Sequence, residues 1–155
     1  MKKEKINVLY VDDEVDNLNA FKAVFRRDFN VHIVESAAEG RKILENHEIE
    51  VILTDQRMPG MTGVEFLESI LEEFPDSMRI LVTGYTDITA VIDAINKGQV
   101  YRYVSKPWDN EDLKILIEQS AEVYRLRKGK KQLTDDLIRV QSQLEFMLRQ
   151  KLSAL

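Results

Sequence analysis

Five short runs of β-forming residues alternate with stretches of helical periodicity, and that alternation limits the fold more than any other feature of the chain. The runs are Ile6–Val11, Val31–Val34, Val51–Thr54, Ile80–Val82 and Tyr101–Val104. The first (apart from Asn7), third and fourth are nearly continuous apolar stretches, which suits parallel strands covered on both faces. The intervening segments are roughly ten to fifteen residues, about the crossover length of a βαβ unit. The alternation predicts a doubly wound open α/β sheet, with the loops after the strand C-termini forming its functional edge.

Helix starts are legible in the same way. Ser36-Ala37-Ala38-Glu39 has the capping-box pattern, in which serine and glutamate satisfy each other's free amides. Asp87 and Asp109 are expected to cap the fourth and fifth helices. Leu18, Phe21, Val24 and Phe25 fall on one helical face, as do Phe66, Leu67, Ile70 and Leu71. From Asp112 onward no strand pattern returns. A stripe of Leu133, Leu137, Val140, Leu144 and Met147 steps by heptad spacing, which predicts a self-associating coiled coil. Lys130 and Lys151 share those positions and weaken the seam, and Gly129 marks an expected hinge or loosened stretch. The expected organisation is one domain over residues 1–126 and a helical extension over 127–155, continuous with the fifth helix. An amphipathic helix folded back on its own domain stays open as the plainer reading.

Composition excludes several classes. With 155 residues, 44% of them hydrophobic, the chain can bury a real core. Its net charge of -5 gives no global reason for nucleic-acid binding, and the short basic run RKGKK reads as solvated. There is no cysteine, hence no disulfide or thiolate site, which fits the cytoplasm. The apolar run after MKKEK is too short for a signal segment or a membrane span. Only His32 and His47 are present, so a histidine-built metal centre or triad is not expected, and any metal would take oxygen ligands.

The strand ends carry the chemistry. Asp12, Asp13 and Glu14 follow the first run, Asp55 the third, Thr83 and Gly84 the fourth, and Ser105, Lys106 and Pro107 the fifth. Each group alone has a bland reading: helix cap, turn or solvated loop. Together, four loops bring carboxylates, a hydroxyl and an ammonium to one edge. Crowded carboxylates repel unless a cation neutralises them, and magnesium (Mg2+) needs only one or two of them. A carboxylate is itself a competent nucleophile toward phosphorus. Lys106 and Thr83 are suited to bond the resulting phosphoryl oxygens.

The pieces VLYVDDE, ILTDQRMPGMTGVEFL, ILVTGY and YVSKPWD, spread over residues 5 to about 126, resemble the receiver domain of two-component response regulators. LVTGYTD and YRYVSKPWD are similar to receivers attached to HD-GYP phosphodiesterases or to hydrogenase-type transcriptional regulators. The resemblance implies a flavodoxin-like sheet of order 2-1-3-4-5 and Asp55 as phosphoacceptor. It further implies Mg2+ held by Asp12, Asp13, Asp55 and the Arg57 carbonyl, with Thr83 and Lys106 on the phosphoryl group. Tyr103 matches the switch aromatic, and Arg57 and Tyr85 border the route of the attacking water and tune phosphoryl lifetime. The implied partner is a sensor histidine kinase, with no enzymatic turnover beyond self-dephosphorylation. The relay surface is expected on the fourth helix, fifth strand and fifth helix, around Val91, Ile95, Tyr101 and Trp108. A homodimer through the C-terminal helix is expected, and an output domain beyond Leu155 is one of two open readings of the chain's end. Neither membrane nor direct nucleic-acid binding is expected.

Three rivals were weighed. A dehalogenase-type phosphatase needs a second acid two residues after its nucleophile, where this chain has Arg57. A flavin module needs a Ser-, Thr- and Gly-rich first loop, where VDDEVDN would repel phosphate. An unphosphorylated adaptor that uses the fold only to dimerise stays open as the alternative.

Overall fold

The five apolar runs become one parallel sheet. The computed structural model describes residues 4–84, 88–97 and 99–154. Its strands are β1 (Ile6–Val11), β2 (Phe29–Val34), β3 (Val51–Asp55), β4 (Met78–Thr83) and β5 (Arg102–Ser105), in the order β2-β1-β3-β4-β5. The helices are α1 (Val15–Phe25), α2 (Ala37–Asn46), α3 (Gly63–Ile70), α4 (Ile88–Asn96) and α5 (Asn110–Ser153). The expected strand order and fold class hold. β2, β3 and β4 outgrow the expected runs, while β5 is shifted by one residue, losing Tyr101 and gaining Ser105; ladder pairing recruits polar ends such as Asp55, Thr83 and Ser105.

Pleat alternation sorts the strand side chains into two cores. Val8, Tyr10, Leu53 and Ile80 join Phe21 and Phe25 of α1 and Leu113 and Ile117 of α5. Leu9, Val11, Ile52 and Leu81 join Leu44 of α2, Phe66 and Leu67 of α3, and Val91 of α4. On α1, Leu18, Phe21 and Phe25 are buried while Val24 stays 44% exposed, so Val24 lies outside the expected face. The N-cap of α1, Glu14, makes no side-chain capping bond. A missing cap forgoes about 1 kcal/mol, whereas three buried side chains contribute roughly 5–9 kcal/mol before entropy. Packing, not capping, therefore holds α1 in place.

Capping elsewhere departs from expectation in detail. Ser36 accepts the Glu39 amide as predicted, but the Glu39 carboxylate takes the amide of Glu35, not that of Ser36. The complete capping box belongs to Thr62 and Glu65, at the start of α3. Asp109 accepts the Asp112 amide at 3.0 Å and caps α5. Asp87, the expected cap of α4, lies outside the described residues.

At the sheet end opposite the strand C-termini, Arg79 on β4 is buried among carbonyls. Its Nε donates to Gln99 O at 2.9 Å, and its Nη1 donates to Ser77 O at 3.1 Å and Pro75 O at 3.3 Å.

Contacts divide the chain into two units, one ending at Tyr124 and one starting at Arg125. Within the first, α5 buries Leu113, Ile117, Ser120, Ala121 and Tyr124. Within the second, Leu133, Leu137, Val140, Leu144 and Met147 are all exposed. The helix runs without a break through Gly129, where backbone hydrogen bonding outweighs the roughly 1 kcal/mol that glycine costs. No described helix is long and apolar enough to cross a membrane.

Gly63 starts α3 against the end of β3. A Cβ there would fall well inside contact distance of the Asp55 carbonyl oxygen and 2.8 Å from Leu81 Cδ1. Backbone cannot step aside as a flexible side chain can, so Gly63→Ala is expected to lower the free energy of unfolding by about 1–3 kcal/mol. Urea denaturation measures it, and an unchanged midpoint would contradict this close approach.

Candidate functional site

Parallel strands all end on the same side of the sheet, so the loops after β1, β3, β4 and β5 share one edge. Register aligns them: Val11 pairs with Thr54, Asp55 with Val82, and Thr83 with Ser105. Side chains that are scattered in the chain are thereby brought together.

Asp12, Asp13 and Asp55 form the centre, with one carboxylate oxygen from each within 4.8 Å of the others. Asp12 is fully buried, Asp55 nearly so, and Asp13 exposed. Lys106 reaches in from the loop after β5, and its Nζ stands 3.1 Å from Asp55 Oδ1 and 3.4 Å from Asp12 Oδ2. The Lys106–Pro107 peptide is cis. Three carboxylates and one ammonium leave an excess of two negative charges, which one divalent cation would neutralise. The donors are hard oxygens of the kind that magnesium and calcium take.

Electrostatics follow the burial. Desolvation raises the pKa of Asp55 above the ordinary carboxylate value, with Asp12 adding to the rise, while Lys106 and the Gln56 amide oppose it. Desolvation would lower the pKa of Lys106, yet Asp55 and Asp12 outweigh it and hold the ammonium above the usual lysine value. The buried Tyr10 phenol is pushed far up by burial and by its hydrogen bond to Asp12.

Both oxygens of the Asp12 carboxylate accept hydrogen bonds. Its Oδ1 accepts the Glu14 amide at 2.9 Å; its Oδ2 accepts Tyr10 Oη at 2.7 Å and Asn17 Nδ2 at 3.2 Å. The plain helix-cap reading of Asp12 does not hold, since the N-cap of α1 is Glu14.

Of the other expected residues, Thr83 is buried at the end of β4, and its hydroxyl donates to Gly84 O at 3.1 Å. Tyr103 is 51% exposed on β5, beside Leu81 in register. Arg57 is exposed. Tyr85 lies outside the described residues. Val91 does not belong to an exposed relay surface: it faces the sheet and is buried with Val100 and Leu81. The exposed apolar residues of α4 are Ile88 and Ile92, one residue off the expected register.

Sequence reasoning missed three supports. Tyr10 carried a signal, being a phenol in a nearly continuous apolar run and two residues before Asp12, hence on the same side of the strand. Asn17 carried none, because its contact depends on how the chain turns into α1. Gln56 closes the loop after β3: its amide donates to Val82 O, its carbonyl accepts Gly63 N, and its Oε1 accepts Val64 N, each at 3.0 Å.

Comparison with known proteins shows the family and the fold. The family profile described as the response regulator receiver domain matches residues 8–118. The hydrogenase transcriptional regulatory proteins HoxA of Cupriavidus necator and Bradyrhizobium diazoefficiens are 39% and 38% identical over 127 and 121 residues. Those matches take in 82% and 78% of this chain but 26% and 25% of the relatives, so the chain spans about a quarter of their length. Among solved structures, one titled as an adenylate cyclase from Rhodopirellula baltica superposes with a TM-score of 0.82 at 33% identity, covering 85% of this chain and 98% of that one. The signal receiver domain of an HD domain-containing protein from Pseudomonas fluorescens Pf-5 gives 0.77 at 27% identity, covering 83% and 96%.

The raised pKa of Asp55 has a consequence for stability. The folded state holds this proton to a higher pH than the unfolded chain does, so ionising Asp55 removes stability as pH climbs from about 4, the unfolded carboxylate value. Without added metal, Asp55→Asn is therefore expected to be more stable than the parent chain at neutral pH, with a gap that narrows toward pH 4. Urea midpoints across that range test this, and a gap that is constant or reversed would contradict it.

Proposed function

Because the chain belongs to the response regulator receiver family of two-component systems, we propose that Asp55 accepts a phosphoryl group from the phosphohistidine of a sensor histidine kinase. The observation that carries this reading is the Lys106 ammonium standing between the Asp12 and Asp55 carboxylates, with a third carboxylate within 4.8 Å. An Asp55 oxygen attacks phosphorus, the P–N bond breaks, and its electron pair stays on the departing imidazole. Asp12, Asp13, Asp55 and the Arg57 carbonyl would hold Mg2+, which when bound offsets the negative charge of the entering phosphoryl oxygens. Lys106 bonds one of those oxygens and Thr83 another, its hydroxyl leaving Gly84 O. The side chain of Arg57 and Tyr85 border the approach of water and set how long the phosphoryl group persists.

The output follows from added charge. A phosphoryl group brings about -1.5 to -2 charges and three acceptor oxygens. As Thr83 moves toward it, Tyr103 turns inward from its exposed position, and the surface of Ile88, Ile92 and Tyr103 changes its pairing preference. This is a two-state shift driven by tighter bonding of the phosphoryl group in one state. The helical extension from residue 127 dimerises through Leu133, Leu137, Val140, Leu144 and Met147. By analogy with the longer HoxA proteins, the receiver would control an output domain in the same protein.

Intact mass after incubation with Mg2+ and a small-molecule phosphodonor is expected to show one added phosphoryl group on the parent chain and none on Asp55→Asn. Followed over time, the adduct of Arg57→Ala is expected to decay faster than that of the parent. No adduct on the parent would instead favour the unphosphorylated dimerisation adaptor.

Light scattering is expected to give a dimer mass for the full chain and a monomer mass for the double variant Leu137→Asp, Leu144→Asp. A monomeric parent chain, with and without phosphodonor, would overturn the dimer.

A further inference from the structure

Away from the acidic edge, a cleft of about 430 Å³ opens between the last turn of α1 and the start of β2. Lys22, Arg26 and His32 line it, together with the amides of Asn7 and Asn30. Strand β2 is the edge of the sheet, so the cleft borders backbone with no strand beyond it. No carboxylate lines the cleft among the described residues. Elsewhere in the same unit Arg41, Lys97, Lys106 and Lys114 are each paired with an acid. Neither Lys22 nor Arg26 forms such a pair among the described residues. In a chain of net charge -5, this is a local concentration of positive charge without a counter-ion.

The polar fittings of the cleft suit an oxyanion. An arginine fork at the C-cap of α1 and a lysine ammonium in its last turn present several charge-assisted donors. The half-buried His32 ring lies 4.7 Å from that of His47, and burial, then His47, then Lys22 lower its pKa. His47 and Lys22 add to the effect of burial, and a bound anion would oppose their contribution. Asn30 Nδ2 donates to Asn7 Oδ1 at 3.1 Å, leaving the Asn7 Nδ2 donor for an anionic ligand. The volume exceeds what a bare phosphate needs and lies within the range of small-molecule pockets.

We propose that this cleft is a second ligand site, which binds a phosphate group through Lys22, Arg26 and His32, independently of the phosphoacceptor edge. Its source is either free phosphate or a small phosphorylated molecule whose organic part fills the remaining volume.

The test follows the imidazole resonances of His32 and His47 by NMR, without Mg2+ and at ionic strength held constant with chloride. One arm titrates inorganic phosphate, the other adenosine monophosphate. A saturable shift of the His32 signals is expected in at least one arm. The variant Lys22→Gln, Arg26→Gln is expected to bind at least about tenfold more weakly, a loss of 1.4 kcal/mol. The variant Arg27→Gln, Lys42→Gln, with the same change in formal charge outside the cleft, is expected to stay within about twofold. If the first variant fails to fold by its urea midpoint, Arg26→Lys takes its place, keeping the charge while losing the fork, and is expected to bind measurably more weakly. Equal affinity in the two arms assigns the site to free phosphate, and at least tenfold preference for the monophosphate assigns it to an organic phosphate. Shifts that stay linear in both arms, or equal weakening in both double variants, overturn the proposal.

Discussion

Three carboxylates held within 4.8 Å of one another are the arrangement to which the rest of the structure adjusts. Like charges this close would separate on a flexible loop, so each is tied to the rigid end of a strand. Burial then makes the charge on Asp55 costly, and the single ammonium of Lys106 offsets part of that cost for Asp55 and Asp12 at once. Tyr10 and Asn17 serve the same end by giving Asp12 further donors. An arrangement in which every carboxylate were fully neutralised would have no use for a divalent cation. The excess of negative charge suits the edge to one.

Much of this was legible in the chain because the signals are local and repeated. Apolar runs of strand length, separated by helical periodicity, lead to the sheet, and the sheet places the residues after each run at one edge. Asp12, Asp13, Asp55, Thr83 and Lys106 needed no more than that. What was not legible depended on angles that periodicity leaves open. Val24 and Val91 were assigned to faces they do not occupy, since a rotation of a single residue separates a buried position from an exposed one on a short helix. Glu39 reached past the serine to Glu35 for a similar reason: the carboxylate takes whichever amide the incoming backbone presents. Asn17, Gln56 and the bare backbone at Gly63 act through contacts between segments, which carry no pattern along the chain.

The exposed residues of α5 illustrate a different limit. Leu133 through Met147 follow a heptad rhythm that has no counterpart within their own unit, and they stand in solvent. An apolar row of that length is a statement about what surrounds the chain, so its role is decided by partners and concentration. Residues up to Tyr124 are explained by their own neighbours.

Arg79 adds a contrast between the two ends of the sheet. A guanidinium does not lose its proton in a protein, so the carbonyl cage formed by Gln99, Ser77 and Pro75 keeps its charge under all physiological conditions. The opposite end holds the three carboxylates and the ammonium. Strand β4 joins the two, carrying Arg79 near its start and Thr83 at its close. On the proposed reading, a movement of Thr83 would begin at the unanchored end of a strand whose other end is held by three carbonyls, and would pass sideways through the ladder to Ser105 of β5.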